Sequence, residues 1–246
     1  MVLALILGGG ISTLSASAYT KGGSTGVVVP LYTYPTDSSW SSLIKIKQSH
    51  PLVPIVAIIN PSSGPGSSQD PNYVSGIHQL KGAGIVVLGY VHTSYGSRSV
   101  SVIQNEIRDY KIWYGVNGIF FDEMSGLGTK LSYYKSLADF ANSEGFTMTM
   151  GNPGTVVASS LVGVFSNLCI YENPGMPSTH DIDGYMSFGK HGFSYIAYGV
   201  SGIPSQSEIK GTTTYVGYIY ITNLRGSNPY NGLPAYLQSE VAALAP

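Results

Sequence analysis

Short apolar runs recur at near-regular intervals along this chain of 246 residues, and their spacing restricts the possible fold more than any other feature. Runs of four to eight residues rich in Val, Ile, Phe and Tyr are typical of buried β-strands. The eight runs lie at residues 26–30, 55–60, 86–92, 118–122, 146–152, 168–172, 195–200 and 215–221. We therefore expect eight buried strands.

Helical patterns lie between these runs. Ile103, Ile107, Tyr110 and Tyr114, for example, follow the three- and four-residue spacing of one helix face. The predicted helices cover residues 40–49, 71–83, 99–114, 130–144, 205–210 and 234–244, with a short helix after residue 153 and a weaker pattern near 183–190. Strands that alternate with helices in this way are parallel. Eight repeats favour an α/β fold, a single-domain (β/α)8 TIM barrel at residues 26–246, and an open doubly wound sheet is the alternative.

The first residues resemble a targeting segment. Residues 2–7 are apolar, and Ala16, Ser17 and Ala18 offer the small side chains of a cleavage site. No Lys or Arg precedes Lys21, so the positive charge that normally opens a signal peptide is missing. We interpret residues 1–18 as a signal peptide or an N-terminal anchor, and residues 19–25 as a flexible linker. Either interpretation predicts a protein that is secreted or located at the cell surface.

Charge and motif content exclude several classes of function. The net charge is -1, only 10% of residues are charged and the 12 Lys and Arg residues are scattered, so no basic patch is available for a nucleic acid. The sequence has no phosphate-binding loop and no Gly-x-Gly-x-x-Gly motif for a nucleotide cofactor. The Gly-x-Ser-x-Gly match at residues 22–26 precedes the first strand, whereas a catalytic serine of this type must follow one.

Metal sites and disulfides are not predicted either. The 5 histidines show neither His-Glu-x-x-His nor His-x-His spacing. The single cysteine, Cys169, lies within an apolar run, where we interpret it as a core residue. We accordingly predict no metal and no cofactor. We also expect a monomeric protein.

Most of the 13 Asp and Glu residues have a structural interpretation. Two of them precede helix starts, as Asp70 does, and are interpreted as N-caps. Six more, including Glu240, fall within or at the ends of helical patterns, where charged side chains normally form the solvated face. This elimination leaves five carboxylates. Three of the five, Asp122, Glu123 and Glu172, come at the ends of two predicted strands.

Asp122 and Glu123 follow directly on an apolar run, a position where charged residues are uncommon unless they are paired or have a function. Catalysis is one such function, because barrel enzymes carry their chemistry at the carboxyl ends of the strands. Side chains of neighbouring strand residues point to opposite sides, so Asp122 and Glu123 are not expected to share one role. The alternative is that the pair caps a helix or binds backbone amides.

Aromatic and amide side chains accompany these carboxylates at the predicted strand ends. The candidate substrate-binding residues are Tyr32, Tyr34, Asn60, His92, Tyr95, Asn152, Asn173, Tyr198 and Tyr220. Aromatic faces suit the apolar C–H patches of sugar rings, and amides suit sugar hydroxyls. Two carboxylates on separate strands, surrounded by such groups, are the minimum equipment for glycoside hydrolysis.

Four motifs resemble those of a known family. They are Pro-Leu-Tyr-Thr-Tyr-Pro at 30–35, Ile-Ile-Asn-Pro-Ser-Ser-Gly-Pro-Gly at 58–66, Leu-Gly-Tyr-Val-His-Thr-Ser-Tyr-Gly-Ser-Arg at 88–98 and Gly-Ile-Phe-Phe-Asp-Glu at 118–123. In order and spacing they resemble the spherulin-4 (spherulation-specific family 4) proteins over almost the whole chain after residue 25. Known members include fungal (β/α)8 glycoside hydrolases that cut α-1,4-linked N-acetylgalactosamine in a secreted polysaccharide, galactosaminogalactan.

The resemblance implies an endo-acting glycoside hydrolase with a polysaccharide substrate, similar to an endo-α-1,4-N-acetylgalactosaminidase. Carried over residue by residue, it places Asp122 as the nucleophile, Glu172 as the general acid/base and Glu123 as an essential neighbour. These roles favour a retaining mechanism, and an inverting mechanism is the alternative. Polymers of galactosamine, of N-acetylglucosamine or of mixed sugars are alternative substrates. Two other functions stay open: a non-catalytic glycan-binding surface or coat protein on the same barrel, and an assembly protein without a sugar site.

Overall fold

Eight parallel strands close into one barrel in the computed structural model, which describes residues 23–246. Each strand pairs with its neighbours in sequence order, and the last strand pairs with the first. The strands are β1 Gly26–Leu31, β2 Ile55–Ile59, β3 Val86–His92, β4 Gly118–Asp122, β5 Met148–Gly151, β6 Asn167–Pro174, β7 Phe193–Tyr198 and β8 Tyr218–Ile221. The predicted (β/α)8 barrel is confirmed, and the closed sheet rules out the open alternative. Residues 1–18 and most of the predicted linker lie outside the described residues.

Helices form the outer layer of the barrel. They are α1 Ser38–Ser49, α2 Pro71–Gly82, α3 Val100–Asp109, α4 Leu131–Ser143, α5 Thr179–Ile182, α6 Gln206–Thr212 and α7 Leu237–Ala243. The predicted N-caps are confirmed, because Asp37 accepts a hydrogen bond from the Ser39 amide and Asp70 one from the Asn72 amide, both at 2.8 Å. Within residues 23–246, no helix combines the length and the apolar character needed to cross a membrane.

The predicted helix at 99–114 is divided in the structure. The α-helix ends at Asp109, a π-helical turn follows at Tyr110–Tyr114, and Gly115 ends it in a left-handed conformation (φ 56). Tyr110 is fully buried, and a Cβ atom on Gly89 of β3 would lie only 2.5 Å from its ring. The Tyr110 hydroxyl donates to the Tyr90 carbonyl at 2.8 Å. This close approach fixes β3 against the helix layer.

Helical structure is reduced around β6. The predicted weak helix near 183–190 is replaced by the single-turn α5, Thr179–Ile182, and by two 3-10 turns, Met186–Phe188 and Lys190–Gly192. The connection from β5 to β6 contains a 3-10 turn, Ser159–Leu161, in place of the predicted helix.

Strand β6 contains an irregularity that decides which side chains face the barrel interior. Cys169 pairs with Ser194, but Tyr171 pairs with the next residue, Tyr195, so β6 holds one extra residue at this point. Regular alternation would place Cys169 and Tyr171 on the same face. The extra residue instead places Glu172 on the face of Cys169, whose thiol pKa is raised by burial and then by the charge of Glu172. The bulge therefore turns Glu172 into the barrel.

Glu240 of α7 is fully buried, so the predicted solvated position is wrong. One carboxyl oxygen accepts a hydrogen bond from the Ile221 amide at 3.0 Å, beyond the last pair of β1 with β8, Val27 with Ile219. The other oxygen has no partner among the described residues. Burial raises the pKa of Glu240 well above its ordinary value. The carboxyl group completes the hydrogen bonding of β8 where the strand pairing stops.

Replacing Glu240 by glutamine is expected to flatten the pH dependence of stability. Because the native pKa lies above the unfolded value of about 4.3, the native state binds this proton more tightly, and stability is lost as the pH rises from that value towards the native pKa. Glutamine keeps an acceptor for the Ile221 amide but does not ionise. Thermal unfolding between about pH 4 and pH 8 should show a smaller fall in Tm for Glu240→Gln than for the wild type. Equal falls would contradict the titration of Glu240 in this range.

Candidate active site

Asp122, the last residue of β4, lies at the mouth of the barrel, meaning the end where the carboxyl termini of the strands meet. Its carboxylate accepts three hydrogen bonds, from the Tyr90 hydroxyl, from the Asn152 side chain at 2.8 Å and from the backbone amide of Glu123. Burial raises the pKa of Asp122, and the three donors act in the opposite direction. The carboxylate is thus fixed in orientation by donors from three sides.

Glu172 of β6 is the second carboxylate at the mouth. It accepts two hydrogen bonds, one from the Tyr230 hydroxyl and one from the Asn152 side chain. Burial raises its pKa, the charge of Asp122 raises it further, and the two donors lower it in part. Asp122 has three donors, and the charge of Glu123 is the smallest influence on its pKa, whereas Glu172 has two donors and the charge of Asp122 is the largest influence on its pKa after burial. This difference favours placing a shared proton on Glu172.

Asn152, directly after β5, joins the two carboxylates. Its single side-chain nitrogen donates to Asp122 Oδ1 at 2.8 Å and to Glu172 Oε2 at 2.5 Å. The two oxygens can be no further apart than these two lengths end to end, about 5.3 Å. Carboxyl separations of about 5–5.5 Å are typical of retaining glycosidases, and about 6.5–9.5 Å of inverting ones. The geometry therefore matches the shorter class.

Glu123 follows Asp122 in a left-handed backbone conformation (φ 51). Its carbonyl accepts hydrogen bonds from the Thr93 hydroxyl and the Tyr95 amide, both at 2.7 Å, and Tyr95 is itself left-handed (φ 55). Such conformations cost about 1–3 kcal/mol each in non-glycine residues and cluster at functional sites. The turn at Glu123 brings its carboxylate to 3.6 Å from His92 Nδ1. Glu123 and His92 are thereby paired beside Asp122.

Three tyrosine rings form one wall of the site. Tyr32 contacts Tyr90 at 5.8 Å and Tyr230 at 5.6 Å between ring centroids, both edge to face. Burial and then the charges of Asp122 and Glu172 raise the pKa of Tyr32 well above its ordinary value. Its hydroxyl consequently stays protonated close to both carboxylates, where it can donate to a bound ligand.

Two of the predicted binding residues have structural partners next to the mouth. The Tyr34 hydroxyl donates to Asp70 at 2.9 Å, and its ring is 45% exposed. The Asn60 side chain accepts a hydrogen bond from the Gly64 amide at 3.1 Å. Asn60 thus shapes the loop after β2, and Tyr34 is tied to the start of α2.

Three further predicted residues lie at the ends of their strands without a recorded contact to either acid. The Tyr95 ring is 65% exposed on the loop after β3. Asn173 is exposed, with its side chain donating to the Gly154 carbonyl at 3.4 Å. Tyr198, the last residue of β7, is partly buried.

Tyr220 is the predicted site residue that the structure separates from the mouth. It is fully buried, and its hydroxyl interacts with the Thr222 side chain. Burial and then the charge of Glu240 raise its pKa, which places the hydroxyl near α7. A residue buried in this way has no surface to offer a substrate.

Sequence reasoning missed the two tyrosines that bind the acids. Tyr90 could have been found, because β3 and β4 pair His92 with Asp122 and side chains two residues apart share a face. Tyr230 lies in the loop before α7, 58 residues from Glu172, with no periodic pattern around it. Only the closed fold brings it to the site.

No group of three or more His, Cys, Asp or Glu side chains within residues 23–246 is arranged to hold a metal ion. The site's polar groups are instead directed at one another, as in the Asn152 bridge.

Comparison with known proteins gives consistent matches over the barrel. The model of a family described as spherulation-specific family 4 matches residues 26–244. Spherulin-4 of Physarum polycephalum is 36% identical over 238 residues, covering 89% of this chain and 69% of that protein. The crystal structure of Aspergillus clavatus Sph3 in complex with GalNAc has a TM-score of 0.80 and 26% identity, over 93% of this chain and 100% of that chain.

Other solved barrels are similar in fold alone. A chitinase from Rhizomucor miehei, RmChi1, has a TM-score of 0.52 at 10% identity, over 89% of this chain and 98% of that chain. The family match has a different weight, because it combines a model spanning the barrel with 36% identity to spherulin-4 over 238 residues. The resemblance seen in the motifs is confirmed, and this chain belongs to the spherulation-specific family 4.

Proposed function

We propose that this protein is a secreted or cell-surface glycoside hydrolase that cleaves an α-1,4-linked N-acetylgalactosamine or galactosamine polymer internally, with retention of configuration. The observation that carries the proposal is the Asn152 amide that joins Asp122 and Glu172, with their nearest oxygens at most about 5.3 Å apart. All of these groups come from one chain, so a monomer has a complete site.

The roles of the two acids follow from their donors. Three hydrogen bonds stabilise ionised Asp122, as a nucleophile requires. Glu172 has two donors and lies beside Asp122, whose charge adds to burial in raising the pKa of Glu172, and this favours Glu172 as the acid that protonates the leaving oxygen. In the first step the Asp122 oxygen bonds to the anomeric carbon while the glycosidic C–O bond breaks. The leaving oxygen takes the proton of Glu172. In the second step water attacks that carbon, gives its proton to Glu172 and releases Asp122.

The substrate class is supported by the family and by the ligand of a relative. Sph3 of Aspergillus clavatus was crystallised with GalNAc, and the match covers 93% of the present chain. The wall of Tyr32, Tyr90 and Tyr230 offers aromatic surface to a sugar ring, and the Tyr32 hydroxyl offers a donor beside both acids. An extracellular polymer also agrees with the apolar segment at residues 2–7.

Release of reducing ends from a panel of polysaccharides tests this function. The panel contains polymers of galactosamine, N-acetylgalactosamine and N-acetylglucosamine, and a neutral polymer. We expect release from the galactosamine-type polymers only, with proton NMR showing that the first product keeps the α configuration. Release with inverted configuration would contradict the retaining mechanism. Binding without release would make the protein a glycan-binding protein on the same barrel.

Replacing Tyr95 by alanine is expected to weaken binding of the polymer more than turnover. The Tyr95 amide donates to the Glu123 carbonyl, which fixes this loop next to Asp122, and the exposed ring can stack on a sugar outside the cleavage point. Loss of an aromatic contact of about 0.5–1.5 kcal/mol corresponds to a rise in KM of about two- to tenfold, with kcat little changed. The control is Val102→Ala, an exposed change on α3. A buried aromatic residue such as Tyr185 is not suitable, because its loss would affect folding. An unchanged KM would remove Tyr95 from the binding surface.

A further inference from the structure

Tyr230 is held in place by its surroundings although it lies in a loop. Its backbone amide donates to the Asn228 side chain at 3.0 Å, and its ring packs edge to face on Tyr32. The side chain is only 8% exposed. The hydroxyl donates to Glu172 Oε1, on the side opposite the Asn152 contact with Oε2. Each oxygen of Glu172 therefore has one fixed donor.

The surroundings of Glu172 leave Tyr230 as the donor that belongs to it alone. Asp122 faces it from β4, and Asn152 divides its amide between the two acids. Tyr32 and Tyr90 belong to the same tyrosine wall as Tyr230, and the Tyr90 hydroxyl donates to Asp122. Cys169 lies on the same face of β6.

We propose that Tyr230 is a positioning residue that orients Glu172 and sets the pH at which this acid releases its proton. The inference rests on the proposed function for its consequence in catalysis, but the effect on proton release follows from the contact itself. A donor to the ionised carboxylate favours that form. Burial and then the charge of Glu172 raise the pKa of Tyr230, so the phenol keeps the proton that it donates.

The proposed role fits both steps of a retaining reaction. When Glu172 gives its proton to the leaving oxygen, it becomes a carboxylate next to Asp122 at the moment that Asp122 bonds to the sugar. The Tyr230 hydroxyl stabilises that carboxylate and so makes proton release easier. When water attacks in the second step, Glu172 takes the water proton back and is neutral again. Tyr230 undergoes no net change, and its hydrogen bond strengthens only while Glu172 is charged.

The decisive measurement is the titration of Glu172 itself. The chain contains 6 glutamates, so a protein labelled with ¹³C at the glutamate side-chain carboxyl carbons gives a spectrum that is simple to assign. The Glu172 signal is the one absent from Glu172→Gln. In Tyr230→Phe we expect its titration midpoint to rise by about one to two pH units, the equivalent of one hydrogen bond to a charged group. Tyr230→Leu, which also removes the hydroxyl, should give a shift in the same direction.

Tyr236→Phe is the matched control. Tyr236 lies a few residues further along the same stretch, but its hydroxyl donates to the Val200 carbonyl at 2.8 Å and not to a carboxylate. Its loss should leave the Glu172 midpoint unchanged. A midpoint that stays in place in both Tyr230→Phe and Tyr230→Leu overturns the inference. If the midpoint rises and the alkaline limb of kcat/KM rises with it, both proposals are supported. If the midpoint rises but the wild type cleaves no polymer, Tyr230 keeps its role and the proposed function fails.

Discussion

Asp122→Asn is expected to lose turnover on the polymer by about 10⁴-fold or more, which is the size of effect seen when a catalytic nucleophile is removed. The amide has nearly the same shape but is too weak a nucleophile to bond to the anomeric carbon. The variant should still fold, because the side chain stands at the open mouth and Asn152 can bond to its remaining oxygen. Retained glycan binding and an unchanged Tm would separate lost chemistry from lost structure.

A second experiment distinguishes a nucleophile from a carboxylate that only stabilises charge. Asp122→Ala leaves space for azide, which can attack the anomeric carbon of a substrate with a good leaving group and form a glycosyl azide of inverted configuration. Azide should therefore restore turnover in Asp122→Ala and not in the wild type. Asp181→Asn is the matched control, because that carboxylate only binds Ser178 at the start of α5. Wild-type activity in Asp122→Asn would end the assignment of Asp122 as nucleophile.

Glu172→Gln is expected to reduce cleavage of the natural polymer by about 10²–10⁴-fold, the usual contribution of a general acid. Substrates with good leaving groups need little protonation, so their first step should lose far less. The variant should also lose the alkaline limb of the wild-type pH profile. Glu172 is active when protonated, and burial and Asp122 raise its pKa, which moves that limb to higher pH than an ordinary glutamate would give.

In the proposed mechanism the acidic limb belongs to Asp122, which must be ionised to attack. Burial raises its pKa as well, so activity should begin to fall at a higher pH than for an exposed aspartate, as the pH decreases. The two limbs are macroscopic values of a coupled pair, since one amide joins both acids. Equal losses on polymer and activated substrate in Glu172→Gln would show that Glu172 is not the acid.

The end of β4 could be predicted from sequence because every step there is local. The apolar run of β4 forces a buried strand, and the first polar residue after it must reach the mouth. Glu172 was found by the same reasoning, although regular alternation would have pointed it away from the barrel. The bulge between Cys169 and Tyr171 corrects its direction, and a bulge depends on how β7 pairs with β6.

Contacts between residues that are far apart in the sequence could not be predicted from the sequence. Tyr230 reaches Glu172 across 58 residues, and Glu240 reaches the Ile221 amide only because β8 has no further partner on β1. Tyr220 was predicted at the site from its strand end, yet it is sealed beside Glu240. In each case the contact depends on which segment of the chain packs against the end of the strand.

The sequence by itself determined the closed barrel, the order of its eight strands and the two strand ends that carry acids, because hydrophobic period and strand count act over a few residues at a time. Only the tertiary structure decided the distance between Asp122 and Glu172, the amide that joins them and the tyrosine bound to each. These features depend on strand register, a bulge and barrel closure, which bring together side chains far apart in sequence in a dry, low-dielectric mouth.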